Sequence, residues 1–100
     1  MTAYVVAHVN VTDNERYAEY VQRTPAVIAS FGGRFIVRGG ETVTIEGPEV
    51  DERVVVLEFA NMDQAVACFR SPAYEEARKF RLGAAEMRLF AVQGFDPAEV

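Results

Sequence analysis

The chain has 100 residues, half of them hydrophobic and a quarter charged, which is the make-up of one ordinary globular domain and not of a disordered or fibrous chain. Fifteen acidic residues against ten basic ones leave a formal charge of -5, a sign that repels phosphate backbones and anionic bilayers, so neither nucleic acid nor a membrane is expected as a partner. Cys68 is the only cysteine, which excludes an internal disulfide and fits a reducing compartment; Met1-Thr2-Ala3-Tyr4 lacks the basic start and apolar run of a signal peptide, so a cytoplasmic protein is expected.

Ala3 to Val11 is rich in β-branched residues and too short for an unaided helix, which predicts a strand. Thr12-Asp13-Asn14-Glu15 has capping-box spacing, in which the threonine hydroxyl and the glutamate side chain satisfy two amides that a helix start leaves free, so a helix is predicted to begin there. Tyr17, Tyr20, Val21, Val27, Ile28 and Phe31 then recur at three- and four-residue steps and form one apolar stripe that must dock on a sheet. Pro25 interrupts the stripe. A proline inside a helix lacks an N–H and crowds the previous turn, at about 3 kcal/mol, so a kink or break is expected near Thr24. Gly32-Gly33 ends the helix.

Arg34 to Val37 and Thr42 to Ile45 are two β-type stretches joined by Arg38-Gly39-Gly40-Glu41, read as a bulge inside one long strand in preference to a tight turn. Glu46-Gly47-Pro48 opens a polar loop, after which Arg53 to Phe59 is the clearest strand and is expected at the centre of the sheet. Asn61 caps a helix through Arg70. Ser71-Pro72, with Glu75 and Glu76 in the first turn, opens a second helical piece that runs to about Leu82 and ends at Gly83. Met87 to Gln93 is the last strand, so the domain is expected over residues 1–95 with a tail over 96–100.

The order strand, helix, strand, strand, helix, strand predicts an α+β fold on the ferredoxin-like βαββαβ plan, a four-stranded antiparallel sheet with two helices on one face. If the helices cover Val5, Ala7 and Val9, the other parity of the first strand shows Tyr4, Val6, His8 and Asn10, a mixed surface that one copy leaves bare. A second copy of the same sheet is the simplest cover, because a two-fold interface asks only that one surface complement itself; a homodimer is predicted, with a pocket between its sheets.

Few residues carry chemistry. His8, the only histidine, is a candidate acid/base on the bare face, although a lone histidine is more often structural, and no metal or other cofactor is expected. Arg38 beside Gly39 and Gly40 is the most suggestive group, since a guanidinium next to bare backbone grips a carboxylate; a hairpin or bulge alone also needs those glycines. Glu58, inside Val56-Leu57-Glu58-Phe59, is costly unless paired, and is expected to meet Arg38 or Arg88 in a core ion pair. Tyr74, Arg78 and Arg81 recur at helical steps and form one edge suited to an acidic small molecule, though solvated charge is the commoner explanation.

The run Gly32-Gly33-Arg34-Phe35-Ile36-Val37-Arg38-Gly39-Gly40, then Glu46-Gly47, then Arg53 to Phe59, then Ser71-Pro72-Ala73-Tyr74 with Arg78 and Arg81 resembles a bacterial family, the domain of unknown function family thirteen-thirty, over nearly the whole chain from Tyr4 to Gly94. The resemblance implies a dimeric α+β barrel, in which two ferredoxin-like sheets face each other and enclose cavities. It implies no established reaction, because relatives in that superfamily include cofactor-free monooxygenases, haem-handling proteins, lactone isomerases and ligand-sensing domains. Two readings follow. The first is a homodimer that binds a small organic molecule, acidic if Arg38 grips it, through Arg38, Gly39, Gly40, Arg78 and Arg81. The second is a cofactor-free isomerase or monooxygenase-like enzyme in which His8, Glu58 or Tyr74 moves a proton.

Overall fold

In the computed structural model, which describes residues 1–99, strand β1 (Ala3–Val11) alternates in burial: Ala3, Val5, Ala7 and Val9 are buried, and Tyr4, Val6 and His8 point the other way, half-buried. β1 lies between β3 (Arg53–Phe59) and β4 (Ala85–Gln93) and runs antiparallel to both; β2 (Arg34–Arg38) pairs antiparallel with the far side of β3. The result is a four-stranded sheet in the order β2-β3-β1-β4, with β3 central as expected. Of the tail expected over 96–100, Pro97–Glu99 forms a 3-10 turn and Val100 lies outside the described residues.

The first helix, α1 (Asn14–Ser30), starts later than the capping box suggests. Asp13 is its cap, accepting from the Arg16 amide at 3.2 Å, because the amides of Thr12 and Asp13 are both taken by the Ala84 carbonyl at 2.8 and 2.9 Å. That pair of bonds ties the entry to α1 to the entry to β4. The expected break at Thr24 does not occur, and α1 is continuous through Pro25. The missing proline N–H leaves the Val21 carbonyl without its helical partner, and Arg38 Nη2 donates to that carbonyl at 3.1 Å instead.

The fold plan counted two helices, with the second made of two pieces; the described residues form three α-helices. The second helical stretch divides into α2 (Met62–Phe69) and α3 (Pro72–Arg81), because Ser71 starts a new helix: its hydroxyl accepts from the Tyr74 amide at 3.1 Å, with Pro72 in the first turn.

The long second strand does not form either. β2 stops at Arg38, its bulge falls between Phe35 and Val37, and no strand follows before Arg53. Gly39, at φ +71°, turns the chain out of the sheet, and since β3 begins only at Arg53, Thr42–Ile45 has no strand to pair with. Val43 and Ile45 are left exposed in this loop.

The core gathers between the helices and the face of Val5, Ala7 and Val9, joined from the helices by Tyr17, Tyr20, Ile28 and Tyr74. Burial of Phe59, Ile28, Val5 and Val9 contributes about 1.5–3 kcal/mol each. Gly33 lets the chain cross this core on leaving α1, since a Cβ there would press into the Phe59 ring and Ile28. Among the described residues no helix lies against the opposite face, and Phe90 and Val92 on it are 43% and 46% exposed. Among the described residues no helix is long and apolar enough to cross a membrane.

Candidate functional site

Strand parity decides which side of the sheet each candidate occupies. Along β2, Arg34 faces Glu58 and Phe35 faces Leu57; after the extra residue Ile36, Val37 faces Val56 and Arg38 faces Val55. The bulge therefore reverses the alternation and turns Arg38 to the helix side with Phe35, not to the open face where a pocket between sheets was expected.

On the helix side Arg38 borders a cavity of about 30 Å³ between α1 and the sheet, with walls that include Tyr20, Ile28, Val55, Leu57 and Leu89. Room for about two waters is all that volume gives. Arg53 lines the same cavity, because its parity is that of Val55 and Leu57. Its guanidinium lies against Gly39, where a Cβ would collide with Nη1, and its Nε is buried with no hydrogen-bond partner. Aromatic rings hold both guanidiniums, Phe35 at 4.3 Å from Arg38 Cζ and Tyr17 at 5.9 Å from Arg53 Cζ. Among the described residues, neither arginine has a carboxylate within ion-pair distance. A Cβ at Gly40 would meet open space, so only Gly39 of the glycine pair shapes the site.

Beside the cavity the Tyr20 and Tyr74 hydroxyls meet at 2.8 Å, both side chains buried. Burial, and then the neighbouring Tyr74 phenol, raise Tyr20 far above the ordinary phenol range, so it is a neutral hydrogen-bonding group. Arg81, also buried, lies 5.5 Å above the Tyr20 ring with its Nε unpartnered. Arg78 remains half-exposed, 3.5 Å from Glu75. The edge expected from Tyr74, Arg78 and Arg81 is thus divided between interior and surface, and none of the three lines the cavity.

His8 stands on the open face, stacked on Phe90 with ring centroids 6.4 Å apart, its Nδ1 3.9 Å from Glu52 Oε1. Glu58 is on the same face, but four residues along β3 from Val54, the partner of His8, or roughly 13 Å at strand spacing. Its partner is Arg34, whose Nε and Nη2 both lie 2.9 Å from Oε1. This corrects the expected core pair with Arg38 or Arg88: register sets Arg34 directly opposite Glu58, on the side away from the core. His8, Glu58 and Tyr74 consequently do not meet in one site.

Arg53 was not among the site residues read from the sequence. The signal was present, since a residue two before Val55 in an alternating strand shares its face, and that face is the helix side.

A protein of unknown function from Rhodopseudomonas palustris is similar at 25% identity and a TM-score of 0.74, over 96% of this chain and 84% of that one. SnoaB, a cofactor-independent oxygenase from Streptomyces nogalater, has the same fold at 13% identity and a TM-score of 0.68, over 95% of this chain and 94% of its own. So does a dimeric ferredoxin-like protein of unknown function from Jannaschia sp. CCS1, at 12% identity and a TM-score of 0.71, over 94% of this chain and 100% of that one. No curated protein matches. With a family model matching residues 2–95, the chain belongs to the family described as Domain of unknown function (DUF1330).

Proposed function

We propose that this protein is a homodimer in which each subunit binds a small, acidic organic molecule in the cavity beneath α1, with Arg38 and Gly39 at its edge. The observation that carries the reading is a guanidinium on the wall of an apolar cavity with no carboxylate of the chain beside it. Arg38 is exposed to solvent at the cavity's edge, so its charge is available to an anion there, and a molecule with one anionic end and an apolar remainder matches both parts of the wall. Gly40, Arg78 and Arg81 take no part in this reading.

Support for the dimer comes from the open face, where Phe90 and Val92 lack a cover and a second copy brings a surface of the same kind. The similar Jannaschia protein is itself described as dimeric. A buried free thiol at Cys68 fits a cytoplasmic home.

The test is a thermal-shift screen of small organic acids against the wild type and Ala7→Val, whose added methyls fill the cavity. At least one acid is expected to raise the Tm of the wild type and not that of the variant. A rise of equal size in both moves binding elsewhere, and no rise with any acid removes the reading.

A further inference from the structure

We infer that the ligand is a short-chain monocarboxylate and that Arg53 is the group that holds its carboxylate; this rests on the binding reading above. Arg38 and Arg53 sit on neighbouring strands and one face, with Arg38 opposite Val55 and Arg53 two residues further along β3. That diagonal relation brings Cβ atoms to about 7 Å, within reach of two long side chains. Like charges so close repel, yet none of the fifteen acidic residues in the sequence comes within ion-pair distance of either among the described residues. The chain leaves two cations side by side without a counter-charge of its own.

The two arginines are not equivalent. Arg38 already gives Nη2 to the Val21 carbonyl. Arg53 has a buried Nε with no acceptor, its guanidinium lies against Gly39, and its Cζ stands 5.9 Å from the centre of the Tyr17 ring, so it has less room to reorient than a solvated side chain. A carboxylate presents two oxygens in one plane and fits the edge of such a fork. Holding the fork in position beforehand lowers the ordering cost of binding.

The cavity sets the remainder of the molecule. A volume of about 30 Å³ admits an apolar tail of about two or three carbons, by the measure that one water needs 10–15 Å³. The rest of the lining is mostly apolar, with hydroxyls from Thr24, Tyr17 and Tyr20 but no cation besides Arg38 and Arg53, so a second carboxylate at depth would have no counter-charge.

The experiment is an NMR titration of wild-type protein with propanoate, butanoate, the matching primary amides, and sulfate at equal ionic strength, following the Gly39 amide and the Arg53 Nε–H. The acids are expected to bind roughly tenfold more tightly than the amides and to move the Arg53 resonance. Arg53→Gln should bring the acids down to the level of the amides, and Arg53→Lys should keep part of the preference. Equal binding of acid and amide by the wild type, which needs no variant to fold, overturns the inference. So does an acid preference kept by Arg53→Gln, or a response to sulfate as large as that to butanoate. In each of these cases the cavity reading stands if Ala7→Val still abolishes binding in the screen; if no compound responds to Ala7→Val, both fall.

Discussion

Arg38 donates from Nη2 to the Val21 carbonyl at 3.1 Å, the one carbonyl of α1 that Pro25 deprives of its helical N–H. A side chain from the end of β2 thus completes the hydrogen bonding of a helix whose own sequence interrupts it. Arg38→Met should destabilise the protein by about 0.5–1 kcal/mol, because the Val21 carbonyl loses its donor. In a Pro25→Ala background the amide of residue 25 is restored and the same substitution should cost little. Urea unfolding of the four proteins measures the coupling; identical costs in the two backgrounds would show that this bond does not support the helix.

Tyr20 and Tyr74 share a buried hydrogen bond at 2.8 Å, with the Arg81 guanidinium 5.5 Å from the Tyr20 ring. Tyr20→Phe or Tyr74→Phe leaves one hydroxyl buried without a partner, at about 1–2 kcal/mol. Replacing both removes the donor and the acceptor together, so the double variant should be more stable than the sum of the singles predicts. Additive losses in denaturant melts would mean that the two hydroxyls act independently.

Cys68 is wholly buried, and burial pushes its thiol from an ordinary value of 9.0 up to about 11. The folded state therefore keeps its proton where the unfolded chain has lost it. Stability from this source is complete below pH 9 and falls as pH rises from 9 to 11, by about 2–3 kcal/mol; the raised Tyr20 phenol extends the loss above pH 10. Cys68→Ala should show a shallower decline over that window. Parallel stability curves for variant and wild type between pH 8 and 11 would remove the thiol as the cause.

Phe90 and Val92 are the apolar centre of the uncovered face. Wild-type protein should scatter light as twice its 11.1 kDa chain mass, and Phe90→Asp with Val92→Asp should scatter as a single chain while keeping its helical circular dichroism. A dimer that survives both charges must be held by another surface.

The sequence by itself determined the local pieces. The β-branched content of Ala3–Val11 and Arg53–Phe59 and the stripe through Tyr17, Tyr20 and Ile28 are signals carried by neighbours in the chain, and they suffice for those two strands and the first helix. The start of a new helical piece at Ser71-Pro72 was also legible, from a capping hydroxyl followed by a proline.

Only the tertiary structure decided where the site lies. The side to which Arg38 points depends on which residue of β2 goes unpaired against β3, and that is settled by a distant strand and not by the spacing of Arg34, Ile36 and Arg38. Pro25 reads as a helix breaker until a side chain thirteen residues away supplies the missing bond. The meeting of Arg53 with Gly39 likewise requires the loop between β2 and β3 to close. In each case the deciding energy is a contact across elements, which no local period records.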